Sequence, residues 1–107
     1  MIRVTVTKHH GTYTGIVCDG HAGFSEYGTD IVCAACSMLV INTINSLDAI
    51  THTAMDVVSE ESGHLEVVFQ KRLDDRELVL LDAMILGLTQ VRKEYGKSYL
   101  KFYIKEV

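Results

Sequence analysis

Not one of the 107 residues is proline. A thioredoxin-like thiol site relies on a cis-proline facing its two cysteines, so the pair Cys33 and Cys36 lacks that companion. Cysteine itself is scarce. Three is an odd count, and two of them sit one helical turn apart, which argues against a secreted disulfide scaffold and for a reducing compartment. Polar residues interrupt the longest apolar runs short of the ~20 needed to cross a bilayer, and no charged-then-apolar leader opens the sequence. The protein is therefore expected in the cytoplasm and off the membrane. Basic residues are outnumbered, and the net charge of −4 disfavours a general nucleic-acid binder while suiting a cationic protein partner. No linker or low-complexity segment divides the chain. Against these absences stand 48% apolar and 22% charged residues, the make-up of a single globular domain spanning 1–107.

The chain opens with Ile2, Val4 and Val6 alternating with Arg3, Thr5 and Thr7, the period of a half-buried strand. Gly11 offers a positive φ for a hairpin turn, and a second strand is predicted over Tyr13–Asp19. After a glycine-bearing loop, Thr29 or Asp30 is a suitable N-cap for a helix reaching about Ala49. Val32, Cys36, Leu39, Val40, Thr43, Leu47 and Ile50 recur at helical spacing, while Ile31, Ala34, Ala35, Met38 and Ile41 fill much of the other side. A helix apolar nearly all round is expected to be buried in the domain or against a partner. Strands are predicted over Ala54–Ser59 and His64–Gln70, the second with Leu65, Val67 and Phe69 inward. Asp74 and Glu77 resemble a capping box before a helix over Asp75–Tyr95, with Leu78, Leu81, Ile85 and Leu88 on its stripe and Gly96 as its stop. A last strand, Ser98–Lys105, is predicted to point Leu100, Phe102 and Ile104 to one side. The order ββαββαβ implies an α+β fold: a mainly antiparallel or mixed sheet of about five strands packed with two helices.

The chemistry gathers between Gly20 and Ser37. A thiol attacks only as the thiolate, and a helix N-terminus and a nearby imidazole both favour that charge. Cys33 has the first by position, and His21 stands upstream on a loop able to reach it. On composition alone, a cysteine on an apolar helix is more often a small buried hydrophobe, and a loop histidine more often bonds backbone. Cys33 and Cys36 also permit a redox pair or half of a metal site. For metal, Cys18, His21, His52 and His64 are the remaining ligand types, without the paired spacing of a zinc site. Cys36, in phase with Leu39, Val40 and Thr43, is expected to point into the core, as is Cys18. Asp19 is not expected to touch His21 from two residues away, and Ser37 has no nucleophile elbow around it.

Asp19-Gly20-His21-Ala22 together with Gly28-Thr29-Asp30-Ile31-Val32-Cys33-Ala34-Ala35 resembles the ribosomal-processing cysteine protease family, Prp, and the resemblance extends over essentially the whole chain. It implies a peptide hydrolase with Cys33 as nucleophile and His21 as general base and acid. By the same resemblance the substrate is the N-terminal extension of bacterial large-subunit ribosomal protein L-twenty-seven, and the enzyme is a homodimer; no metal or cofactor is expected. Cys36 departs from the family, where a small or apolar residue is expected. Gly20, Ala22, Gly23, Phe24, Gly28, Asp30 and Ala34 are candidate substrate-binding or lid residues, with 22–28 as the lid and Asp30 also the helix cap. Two other readings stay open: a module that binds ribosomal protein without cutting it, and a thiol-redox protein using Cys33 and Cys36.

Overall fold

A computed structural model describes residues 2–20, 30–60 and 63–107. Strands β1 (Ile2–His9) and β2 (Thr12–Asp19) form an antiparallel hairpin. Its two turn residues, His10 and Gly11, both have positive φ, 49° and 79°. This is the primed-turn geometry whose twist matches that of paired strands. Helix α1 (Asp30–Ala49) leads to β3 (Met55–Ser59), which turns back into β4 (His64–Phe69). Helix α2 (Asp75–Tyr95) then leads to β5 (Leu100–Glu106).

The strands lie in the order β3-β4-β2-β1-β5. All neighbours are antiparallel except β1 and β5, which run parallel. The fold is thus the predicted ββαββαβ arrangement, with a mixed sheet of five strands and two helices among the described residues. β3 runs parallel to β2, and β5 parallel to β4, each pair separated by at least one strand. Each helix therefore sits in a crossover between parallel strands, which lays it on a face of the sheet.

One face of the sheet and the inner sides of both helices share a single core. Ile2, Val4, Val6, Ile16, Cys18, Leu65, Val67, Leu100 and Phe102 meet Val32, Cys36, Val40, Leu47, Leu81, Met84 and Leu88 there. Gly15 marks a tight seam beside the irregularity at Thr7/Lys8. A Cβ at Gly15 would stand 2.7 Å from the Val67 carbonyl oxygen and 3.2 Å from Thr7 Oγ1, so only glycine fits without moving backbone.

The capping box at α2 forms as its residue types suggest. Asp74 Oδ1 accepts from the Glu77 amide at 2.9 Å, and Glu77 Oε1 accepts from the Asp74 amide at 2.8 Å. The other oxygen of Glu77 accepts from the Thr53 hydroxyl, which explains how a carboxylate can be buried at this helix start. Gly96, at φ 90°, ends the helix.

Some expected core positions lie elsewhere. Ile50 falls just past the end of α1 and is exposed, and Ile104 is exposed although Leu100 and Phe102 before it on β5 are buried, so the core reaches only the first half of that strand. On α2 the buried line runs through Glu77, Leu81, Met84 and Leu88, with Leu78 and Ile85 flanking it. The outer side of α1 carries exposed apolar residues: Ile31 is 67% and Met38 61% exposed. By length and apolar composition Ile31–Ala49 would suffice to cross a membrane, contrary to the expectation from its polar interruptions. Here its inner side fills the core instead.

Candidate active site

At the end of β2 the chain reaches Gly20, whose φ of 90° suits glycine. Its amide donates to the Gly63 carbonyl at 3.0 Å, fastening the end of β2 to the start of β4, where Gly63 itself has φ 95°. Cys33 is the fourth residue of α1, beside the positive end of the helix dipole. Its thiol donates to the Gly20 carbonyl oxygen at 3.2 Å. One turn on, Ser37 Oγ stands 3.9 Å from Cys33 Sγ, and both residues are buried. Two of the predicted site residues, Gly20 and Cys33, are therefore in contact although loop and helix separate them in sequence. Ala34, next to Cys33, faces outward. Asp30 is the first residue of α1; its side chain, along with His21, Ala22, Gly23, Phe24 and Gly28 and hence the predicted lid, lies outside the described residues.

The other two thiols lie deeper than Cys33. Cys36 and Cys18 are fully buried, and neither is in a disulfide. Burial, with the neighbouring Cys33 adding to it, pushes the Cys36 thiol up to about 11. Burial pushes Cys18 up to about 12, with Cys36, Cys33 and Asp19 contributing in that order. Both are therefore thiols at neutral pH, inert as nucleophiles. In the folded protein at pH 7.5 (about neutral), iodoacetamide is expected to leave Cys18 and Cys36 unmodified, and both should react on unfolding, as read by peptide mass. Cys36→Ala is expected to retain hydrolysis within about twofold, since it removes only a small apolar contact. A need for Cys36 would instead favour the redox reading.

A group that the sequence did not single out lies beside Gly20. The Asp19 carboxylate is bonded to His64 Nδ1 across the β2–β4 pair, where the two residues face each other in register. Glu66 stands 3.5 Å from His64 Nε2. His64 drew notice only as a ligand type, because nothing in one sequence tells that β2 and β4 are neighbours. Among the described residues no three His, Cys, Asp or Glu side chains are gathered for a metal.

The comparisons with known proteins point the same way as the thiol at the helix start. The family described as cysteine protease Prp matches residues 1–101. A ribosomal processing cysteine protease Prp from Staphylococcus aureus is 30% identical over 100 residues, covering 92% of this chain and 94% of that protein. A crystal structure of the Staphylococcus aureus processing protease with a substrate peptide matches with a TM-score of 0.86 at 28% identity, covering 96% of this chain and 99% of that one. Another, with a covalently linked product peptide, gives 0.84 at 28% identity over 97% and 99%. With the predicted element order, the thiol at the start of α1 and a family match along nearly its whole length, this chain belongs to the Prp family of cysteine proteases.

Proposed function

We propose that this protein is an endopeptidase of ribosome maturation that removes the N-terminal extension of bacterial large-subunit ribosomal protein L-twenty-seven, through a dyad of Cys33 and His21. The observation that carries the reading is the Cys33 thiol resting on the carbonyl of Gly20, the residue immediately before His21 in the sequence. His21 takes the thiol proton, and Cys33 Sγ attacks the scissile carbonyl. The first turn of α1, where the positive end of the helix dipole lies, is suited to receive the oxyanion. Collapse expels the new amine, which His21 protonates, and leaves a thioester on Cys33 that water then hydrolyses. The covalently linked product peptide in the Staphylococcus aureus relative supports a covalent path. Residues 22–28, with Gly20, Asp30 and Ala34, are assigned to substrate binding. The enzyme is assigned to the cytoplasm and to a homodimer, the latter supported by the apolar outer side of α1.

Purified protein incubated with the unprocessed ribosomal protein is expected to release the extension as a single peptide, with one new N-terminus by mass spectrometry, and the same preparation should sediment as a dimer. Stable binding with no cleavage would establish a binding module instead.

A further inference from the structure

Beyond the dyad, one row of charged residues crosses the sheet at the end where Gly20 meets Cys33. Register places Lys101 of β5 opposite Arg3 of β1, Arg3 opposite Asp19 of β2, and Asp19 opposite His64 of β4. The row continues into the turn after β3, where the Glu60 amide donates to the His64 carbonyl at 2.8 Å. The centre of this row is the ion pair between Asp19 and His64, with Glu66 on the other ring nitrogen. Its position matters more than its strength. A partly exposed pair contributes little to stability, and the Asp19 and His64 side chains are 50% and 30% exposed.

The residue after Asp19 is Gly20, which makes two contacts at once: its amide to Gly63 and its carbonyl to the Cys33 thiol. Gly63 in turn precedes His64. The side-chain pair and the Gly20–Gly63 hydrogen bond therefore close a short ring between the ends of two strands, and the thiol of Cys33 rests on that ring. A glycine at positive φ has more backbone freedom than other residues, so its carbonyl direction depends on what holds its neighbours. From the same residue the chain continues to His21.

The geometry points to His64 as a positioning residue for hydrolysis: by holding the Asp19 carboxylate across the β2–β4 seam, it fixes the Gly20 carbonyl that the Cys33 thiol rests on and the point from which His21 departs. This deepens the protease reading and rests on it. The imidazole is well suited to the task. Its pKa is raised from the ordinary histidine value by the hydrogen bond to Asp19, against partial desolvation, with the charge of Asp19, a hydrogen bond to Glu66 and the charge of Glu60 adding to the rise. The charged form favours the paired geometry, and neutral imidazole can still donate from Nδ1 to Asp19.

The test compares His64→Ala with His64→Asn, whose side-chain amide offers a donor near the place of Nδ1. Steady-state cleavage of a peptide spanning the processed junction is followed by mass spectrometry, and folding is checked by thermal melting. His64→Ala is expected to lower kcat by about tenfold with KM changed less than about twofold, because a misplaced reacting group slows chemistry more than binding. His64→Asn is expected to recover kcat to within about threefold of the parent, since it restores the hydrogen bond without the charge. A kcat unchanged in His64→Ala, a change in KM alone, or a folded His64→Asn as slow as His64→Ala would overturn the assignment. The rate of Cys33 alkylation by iodoacetamide in the same proteins needs no substrate. Should the parent leave the peptide uncut, the substrate assignment fails, and this rate decides on His64 by itself. An altered rate in His64→Ala restored in His64→Asn supports the role, and equal rates in all three overturn it.

Discussion

Cys33→Ala is expected to lower cleavage of the unprocessed ribosomal protein by on the order of 10⁴-fold or more, to the limit of detection, while leaving its binding within a few-fold. In the proposed mechanism the loss is large because the variant removes the atom that forms the covalent intermediate, and no neighbouring thiol replaces it: Cys36 and Cys18 are both buried, with pKa values pushed up to about 11 and about 12. His21→Ala is expected to fall nearly as far, since residues acting as one unit do not contribute additively. The double variant should be no slower than the worse of the two. Rates from quenched time courses and affinities from titration of the uncleaved precursor separate the steps. More than about a hundredth of the parent rate in Cys33→Ala would remove the covalent mechanism, because the remaining backbone donors cannot supply that much alone.

The second large effect falls on stability. Leu81 on α2 is fully buried in the core shared by the sheet and both helices. Leu81→Ala deletes three carbon atoms there and is expected to cost about 3 kcal/mol, the middle of the range for such cavities. In a domain of this size that lowers Tm by about 10–20 °C. Val79 is on the same helix but 64% exposed. Val79→Ala is expected to change stability by less than about 0.5 kcal/mol. Chemical denaturation of the two variants with equal m-values would give the comparison directly, and equal losses would mean that α2 does not bury the side assigned to it.

The parts of the fold that were legible in the sequence are those decided by neighbours along the chain. The alternation in β1 needs only a period of two, and the α2 start needs only Asp74 and Glu77 three residues apart. Both ends of α2 follow from local chemistry, and the structure agrees with them. Features set by neighbours in space were not legible. Ile104 continues the alternation that buries Leu100 and Phe102 yet is exposed, and no alternation says how far along a strand the core reaches. The apolar character of α1 likewise could not tell which side this chain covers.

The same division runs through the site. The place of Cys33 in the first turns of α1 was readable from the helical spacing after Asp30, while its reading as the nucleophile came through resemblance. Gly20 was singled out through resemblance, and the structure supplies a physical reason in its hydrogen bonds to Cys33 and Gly63. The Asp19–His64 pair was invisible because the two residues meet only once β2 and β4 are paired in a specific register. Asp19 was expected not to serve His21, and its carboxylate is bonded to His64.

The parallel pairing of β1 with β5 also makes the two ends of the chain unequal as points of attachment. β1 enters beside Asp19, since Arg3 stands opposite that residue, whereas the amide of Val107 donates to the Lys8 carbonyl at the far end of the sheet. A dye, affinity handle or solid support joined at residue 107 leaves the thiol end clear, and one joined ahead of residue 2 crowds it.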